Sequence, residues 1–388
     1  MATLGYYNFL KIKKKIGIFN LILEYMKNIY GIFHQGNYII LKNKNFNKNF
    51  KKLIVTYAFQ NSFDKKGNLQ DRYLNVNSKN TKNTIWFVIY LDKHNPKKFA
   101  SNIILLKKKQ IFFLHKLFFF LKAFCRIVKL SSFNVNKTFH YFTSEFNFSN
   151  IVLEKLNKLV NFSKLQEIKI PYESQIYQND IFKFAKKKNN KIKNLAFVVY
   201  SAPLQKELFF NRINKIDKLY LINKNMREIF LRYLNWPKEK LKIIKKIRNF
   251  NKIDKPKKNT IYLPYIIKKS DIIEKSFESY LNSFSNELDT SKFIIKEHPA
   301  PYNSKKSYLF KTKLYKILNK FKGQKKITKG KNLSVVIGGP SSIPIKLIKQ
   351  KINFIHISND EENQIYSKKI WKIYNSKKIM KNIFTYNR

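Results

Sequence analysis

Short apolar runs alternate with longer segments of helical periodicity along nearly the whole chain, and this alternation limits the folds open to it. Runs such as TIWFVIYLD (84–92), NLAFVVYS (194–201) and LSVVIG (333–338) contain few polar residues. Strands buried on both faces have this composition, whereas half-solvated strands alternate apolar and polar residues. Helical segments between such strands are typical of βαβ units. The sequence therefore predicts an α/β fold built from doubly wound, Rossmann-like parallel sheets.

The alternation occurs in two blocks, separated by the charged segment NFNKIDKPKKN (249–259), which contains a proline and lacks periodicity. Such a segment is typical of an interdomain linker. We therefore predict one Rossmann-like domain over 1–248 and a second over 260–366, facing a common cleft. Residues 367–388 are predicted to form a C-terminal helix that packs back on the N-terminal domain.

The chain is strongly basic, with 79 Lys and Arg against 23 Asp and Glu and a formal net charge of +56. A charge of this size favours nucleic acid or anionic lipid as a partner. The basic residues are spread along the whole chain, however, and Lys, Asn, Ile, Phe and Tyr are abundant together, as an AT-rich genome produces. We therefore attribute the charge mainly to composition, and regard nucleic acid as the less favoured partner.

Cysteine and histidine usage argues against metal and disulfide chemistry. Cys125 is the single cysteine, and the six histidines show no HExxH or His-x-His spacing. No resident cofactor or metal site is predicted. The apolar segment 16–33 contains charged residues and has no cleavage site of the signal-peptide type, and no stretch of the sequence is long and uncharged enough to span a membrane. These features predict a cytoplasmic protein.

The segment IFFLHKLFFFLKAFCRIVK (111–129) has helical length and is rich in both aromatic and basic residues. One interpretation is a helix that faces the core. The other is a basic, aromatic helix that lies on the inner face of the cytoplasmic membrane and contacts anionic lipid. The sequence leaves both open.

Polar residues with binding chemistry follow the predicted strands of the C-terminal block, where open α/β sheets bind ligands. In KEHPAP, Pro299 ends a strand, so His298 projects from its carboxyl end and can donate a hydrogen bond to a phosphate oxygen. The basic loop Thr328–Asn332 offers Lys329. Taken alone, each of these features is more typical of an ordinary structural loop.

The segment GGPSSIPIKLIKQ (338–350) joins a strand to a predicted helix. Gly338 and Gly339 allow positive φ or close approach of a ligand to the backbone, and Ser341 and Ser342 stand where the helix begins. Backbone N–H groups and hydroxyls then converge on one point, which favours a phosphate site without a Walker lysine. A tight turn is the alternative.

The His-Pro pair at 298–299 and the Ser-Ser pair at 341–342, in this order, resemble motifs of GT-B-like bacterial surface-polysaccharide glycosyltransferases, including the capsule, O-antigen and polysialyltransferase-like groups. The N-terminal segments DRYLNVNSKNTKNTIWFVIYLD, PYESQIYQNDIFKFAKKKN and YLNWPKEKLKII are also similar to such proteins. The resemblance covers roughly residues 50–360. It implies that a nucleotide-sugar donor binds the C-terminal domain as substrate, with its phosphates held by the histidine and the serines, and that the N-terminal domain binds a glycan acceptor.

A sugar transfer needs a group that accepts the acceptor's proton or stabilises an oxocarbenium-like state. Glu173 follows an apolar strand in IPYESQ and is our candidate, although a carboxylate that faces the dipole of the next helix is an equal alternative. Asp71 and Asp92 are weaker candidates. Arg248, near the linker, is predicted to reach the donor phosphates.

The chain departs from these relatives on the acceptor side. Tyr200-Ser201 stands where a His-Ser pair is usual, Ile222-Asn223 where His-Gly is expected, and Lys245-Lys246-Ile247 replaces a Pro-Ser turn before Arg248. We therefore predict a metal-independent glycosyltransferase that extends a cell-surface polysaccharide or lipid-linked glycan. A diverged, inactive scaffold of polysaccharide assembly and a basic nucleic-acid-binding protein are the alternatives. Donor, acceptor, stereochemistry and oligomeric state stay open.

Overall fold

A computed structural model describes most of the chain, in two compact units. The first unit is Met1–Val199 with Gln205–Asn249, and the second is Tyr200–Leu204 with Phe250–Arg388. The described residues are 18–35, 37–109, 112–131, 141, 143–198, 215–222, 224–232, 235–244, 259–267, 269–284, 288–298, 303–321, 333–338, 343–358 and 375–387. Within these ranges, no helix combines the length and apolarity that crossing a membrane requires.

The first unit is built on one large sheet. Its elements, in chain order, are α1 (Ile18–Gln35), β1 (Asn37–Lys42), β2 (Lys52–Ala58), β3 (Gln70–Asp71), β4 (Val76–Asn77), β5 (Thr84–Tyr90), β6 (Ile103–Lys109), α2 (Phe113–Ser131), α3 (Ser144–Leu159), β7 (Glu167–Pro171), α4 (Ile176–Lys188), β8 (Lys193–Val198), β9 (Lys218–Leu221), α5 (Lys224–Arg232) and β10 (Leu241–Ile243). Among the described residues the strand order is β1-β6-β5-β2-β7-β8-β9-β10. The strands of this sheet pair in parallel except for β1, which is antiparallel to β6, while β3 and β4 form a separate antiparallel pair.

The strand order identifies the centre of this sheet. From β2 the chain proceeds through β5 and β6 in one direction, then returns to β7 on the other side of β2 and continues outward to β10. All seven residues of β5 are buried, which explains its uninterrupted apolar run. The junction between β2 and β7 is therefore the topological switch point of a doubly wound sheet.

The second unit repeats this plan on a smaller sheet. Its elements are β11 (Thr260–Tyr262), α6 (Ser270–Phe284), β12 (Ile294–Lys296), α7 (Ser304–Lys320), β13 (Ser334–Ile337), α8 (Ile343–Lys349), β14 (Phe354–Ile357), β15 (Asn375–Met380) and β16 (Ile383–Asn387). The order among the described strands is β12-β11-β13-β14-β16-β15, and β11 to β14 pair in parallel. The switch point lies between β11 and β13. The predicted α/β class with doubly wound parallel sheets is confirmed in both units.

The prediction of a helix over 367–388 is wrong for the part that the structure describes. Residues 375–387 form the hairpin β15–β16, and β16 pairs antiparallel with β14. Asn382, with φ 65°, provides the left-handed turn between the two strands. Ile383, Phe384 and Tyr386 are buried, because a strand added to the edge of β14 places such residues against the core of the second unit.

Helix α3 was not predicted from the sequence. Thr143 caps it by accepting a hydrogen bond from Phe146 N at 3.2 Å, and Val152 and Leu156 bury its inner side. The sequence contains an N-cap threonine and two apolar residues four positions apart, Val152 and Leu156. The surrounding Asn and Ser residues, however, weaken the apolar pattern of a helix.

Candidate functional site

Strand register brings two sequence-predicted residues of the second unit to one edge of its sheet. Tyr262 of β11 pairs with both Lys296 of β12 and Val336 of β13. His298 and Gly338, each two residues beyond its paired position, therefore lie at the same carboxyl edge, about 10 Å apart across two strand spacings. The two positions are therefore close enough for one extended ligand to contact both.

Gly338 is required by its backbone and its packing. Its φ is +85°, and a Cβ atom at this position would lie 2.9 Å from Cβ and from Cγ of Pro264, which stands two residues after β11 across the switch point. Its N–H donates to the carbonyl of Ile357 at 2.8 Å. Two constraints therefore disfavour any residue with a side chain here: the left-handed φ and the steric overlap with Pro264. The positive φ expected from the sequence occurs at Gly338, whereas the approach of a ligand to this backbone stays a prediction.

His356 of β14 holds the carbonyl of this glycine. Its Nε2 lies 2.6 Å from Gly338 O and its Nδ1 lies 2.9 Å from the Tyr386 hydroxyl. A carbonyl only accepts, so Nε2 carries the proton and Nδ1 accepts from Tyr386. Burial lowers the pKa of His356 to about 4, despite the opposing effect of its bond to Gly338. The imidazole is therefore neutral at physiological pH and fixes where the strand β13 ends.

His298 is half-buried at the strand end, with its ring 5.3 Å from that of Tyr265 in an edge-on arrangement. The preceding carboxylate, Glu297, accepts from the Ser307 hydroxyl at 2.9 Å and from Lys311 at 3.1 Å, and these two bonds lower its pKa. Glu297 is thus bound to helix α7, while His298 stays at the sheet edge beside an exposed tyrosine.

Several predicted binding residues cannot be placed on this edge. Helix α8 begins at Ile343, directly after the two serines. The predicted residues that lie outside the described ranges are Pro299, Lys329, Gly339, Ser341, Ser342 and Arg248. Their roles stay predictions.

In the first unit, Glu173 lies in the turn between β7 and α4, beside the switch point. The fully buried Gln178 clamps this turn: its Oε1 accepts from Glu173 N at 2.9 Å and Gln175 N at 3.2 Å, and its Nε2 donates to Pro171 O at 2.8 Å. Ser174 is buried with a left-handed φ of 59°. Non-glycine residues in this region cost free energy and cluster at functional sites.

A chain of hydrogen bonds orients the Glu173 carboxylate. Gln175 Nε2 donates to Glu173 Oε2 at 2.9 Å, and Gln175 Oε1 accepts from the Tyr57 hydroxyl at 3.1 Å. Tyr57 stands on β2, across the switch point, and receives a bond from Tyr177 at 2.5 Å. Burial, with the nearby Tyr177 and Glu173, raises the pKa of Tyr57, so it remains a donor. Tyr57, Gln178 and His356 were all missed from the sequence, because their roles depend on contacts between distant segments.

The weaker carboxylate candidates have structural partners. Asp71 is buried and accepts from the Thr56 hydroxyl and from the backbone N–H groups of Tyr73 at 2.9 Å and Leu74 at 2.5 Å. Asp92 accepts from the backbone N–H of Gln60. These bonds indicate that Asp71 stabilises the turn over residues 71–74. In the described part of the chain, no group of three or more His, Cys, Asp or Glu residues could hold a metal.

Comparison with known proteins gives a structural likeness but no match in sequence. No family model matches the chain, and no curated protein does so. The chain is similar to a solved structure of OtsA in its apo form, with 12% identity over 79% of this chain and 84% of that one, and a TM-score of 0.37.

We expect Gln178→Met to destabilise the first unit by about 2 kcal/mol, because it leaves two part-buried N–H groups and one buried carbonyl without their partner. Amide exchange of peptides from 167–188 should accelerate, while peptides from 294–320 stay unchanged. Gln166→Met, at an exposed position before β7, is the matched control and should have no effect. Equal protection in both variants would contradict the clamp role of Gln178.

Proposed function

We propose that the protein is a glycosyltransferase that moves a sugar from a nucleotide-sugar donor to a growing cell-surface polysaccharide or lipid-linked glycan. The observation that carries the proposal is the position of the candidate residues at the two switch points. Glu173 and Tyr57 flank the junction of β2 and β7, and Gly338 packs on Pro264 across the junction of β11 and β13. Ligands of open α/β sheets bind at such junctions, beyond the carboxyl ends of the strands.

The donor phosphates are assigned to the second unit. His298 is at the correct edge to donate to a phosphate oxygen, and the His356 bond to Gly338 fixes the start of the segment that carries the serines. Lys329, Gly339, Ser341, Ser342 and Arg248 are the further proposed donor contacts, from the sequence. Backbone N–H groups, hydroxyls and cations are the groups that stabilise a leaving nucleotide phosphate as charge develops on it.

The proposed chemistry at Glu173 is proton acceptance. As the acceptor oxygen forms its bond to the anomeric carbon, its proton moves to the Glu173 carboxylate, and the anomeric carbon–oxygen bond to the phosphate breaks with the electron pair leaving on the nucleotide. The Gln175 amide holds the carboxylate in place, and Tyr57 holds the Gln175 amide in turn. The sequence places no DxD-type pair at a strand end, so the proposed transfer needs no divalent cation.

The test measures nucleotide binding and turnover on the same variants. We expect one of UDP, GDP, CMP, CDP or dTDP to raise the thermal midpoint of the wild type but not of Ser341→Ala/Ser342→Ala. Glu173→Gln should keep this shift while sugar release from the matching nucleotide sugar falls about 10²- to 10⁴-fold, as is typical for loss of a general base. EDTA should leave turnover unchanged.

Three outcomes would contradict the proposal. A midpoint raised by single-stranded RNA and by no nucleotide would indicate a nucleic-acid-binding protein, whose binding weakens steeply with salt. Nucleotide binding without turnover of any donor would indicate an inactive scaffold. Full turnover by Glu173→Gln would remove Glu173 from the chemistry.

A further inference from the structure

Helix α2 exposes a continuous row of large apolar side chains. Phe113, Leu114 and Phe118 are 66%, 76% and 63% exposed. At 3.6 residues per turn, these and the other exposed apolar residues of the helix fall within about 140° of its circumference. This row, called here the apolar stripe, consists of Phe113, Leu114, Leu117, Phe118, Leu121 and Phe124. Exposed apolar area of this extent marks a site of interaction.

The opposite face of the same helix is packed on the protein. Ala123 and Ile127 are buried against Ile32 of α1, and Phe120 adjoins this cluster. Arg126 forms an ion pair with Glu154 of α3 at 3.4 Å. The helix is therefore fixed through its inner face, and the fold itself turns the apolar stripe outward. The core-facing interpretation of this segment accounts for the inner face alone.

Positive charge borders the apolar stripe. Helix α2 contains no acidic residue, and the sequence has none between Lys93 and Ser144. Lys122 and Lys129 are exposed and follow the stripe on one side of the helix. Lys122 also lines a small pocket of about 80 Å³ between α2 and the rest of the protein, together with Lys116 and Lys155.

The one carboxylate-bearing residue among those that line this pocket is already neutralised. Glu154 binds Arg126 at 3.4 Å and Lys158 at 3.1 Å. Burial acts to raise the pKa of Glu154, but Lys158, Lys122 and Lys155 lower it below its ordinary value. The surroundings of the stripe are thus net cationic, which favours an anionic partner with both apolar and charged parts.

We propose that α2 docks on an anionic lipid bilayer, lying in the interface with its apolar stripe among the acyl chains and its lysines at the headgroups. An amphipathic helix with aromatic and leucine residues on one face and Lys or Arg beside them has this geometry. The long lysine stems lie along the apolar region while their ammonium groups reach lipid phosphates. A second copy of the chain fits less well, because it would oppose lysine with lysine. The proposal does not depend on the transferase activity.

The single native cysteine provides the probe. Cys125 is exposed on α2, and its helical position lies within the apolar stripe. We expect an environment-sensitive fluorophore on Cys125 to shift to the blue when vesicles of phosphatidylcholine with about 30% phosphatidylglycerol are added at low salt. Pure phosphatidylcholine vesicles should bind at least about 10-fold more weakly. The matched probe control is Cys125→Ser with Tyr308→Cys on helix α7, also an exposed site, whose emission should stay unchanged.

Substitutions on the stripe test the contact directly. Phe113→Ser with Leu114→Ser and Phe118→Ser should weaken vesicle binding at least about 100-fold, since each removes a large apolar side chain from the interface. The exposed Leu309→Ser in the second unit is the control and should bind as the wild type does. Should the triple variant fail to fold by circular dichroism, the single Leu114→Glu, at an exposed position, serves in its place.

The proposal is overturned if the protein floats with vesicles but the fluorophore on Cys125 emits at the same wavelength as it does without them. It is also overturned if a folded stripe variant binds vesicles like the wild type. It is equally overturned if the wild type ignores anionic vesicles and instead dimerises in sedimentation velocity, with dimerisation lost on stripe substitution. A blue shift at Cys125 that disappears in the stripe variants supports it.

Discussion

Gly338→Ala should destabilise the second unit by about 4 kcal/mol, since the alanine must adopt a left-handed φ of +85° and place its Cβ atom 2.9 Å from two carbons of Pro264. The contact joins β13 to the segment after β11, so the steric overlap with Pro264 is removed only if these two segments move apart at the switch point. Amide exchange in β13 and β14 should accelerate strongly, and the nucleotide-dependent rise in the thermal midpoint should disappear.

Gly31→Ala is the matched control for this substitution. Gly31 lies in helix α1, where an added Cβ would meet Ser144 Cβ at 3.6 Å, an ordinary contact. Alanine in a helix interior is favoured over glycine by about 0.5–1 kcal/mol, so this variant should be slightly more stable than the wild type. If Gly338→Ala retained wild-type stability, the conformational and packing constraint at Gly338 would be refuted.

The sequence predicts the order of strands and helices well where burial is continuous. TIWFVIY forms β5 and the apolar part of LSVVIG forms β13, and every residue of both strands is buried. The hairpin 375–387 was missed because its pairing with β14 depends on a partner that lies outside the segment itself. The local sequence pattern therefore identifies apolar strands, whereas the pairing of a strand at the sheet edge can be recognised only from the tertiary structure.

The candidate site was predictable residue by residue but not as an arrangement. Glu173 and Gly338 were identified from their positions after apolar strands, yet the partners that hold them come from elsewhere in the chain. Tyr57 reaches Gln175 across 118 residues, and His356 reaches Gly338 from the neighbouring strand. Only the strand order shows that both pairs flank a switch point, because that order depends on pairing between distant segments.

The stability of the second unit should depend on pH through His356. Its pKa in the folded protein is about 4, below the ordinary 6.5, so the unfolded chain binds the extra proton between these values. The free energy of unfolding therefore rises with pH across this window. The contribution of the neutral His356 imidazole to it is complete above pH 6.5 and is lost as the pH falls towards 4. The difference of about 2.5 pKa units corresponds to about 3 kcal/mol by pH 4.

His356→Gln removes this titration while keeping a side-chain donor for Gly338 O. The free energy of opening, from amide exchange in β13 and β14 corrected for intrinsic rates, should fall by about 3 kcal/mol more in the wild type than in the variant between pH 7.5 and 4. Carboxylates titrate alike in both proteins, and Tyr386, whose pKa is raised by burial, stays protonated throughout. His94→Gln, at an exposed loop position, should follow the wild type. Parallel curves for wild type and His356→Gln would mean that folding does not hinder protonation of His356, and Nδ1 could then not remain the acceptor for the Tyr386 hydroxyl.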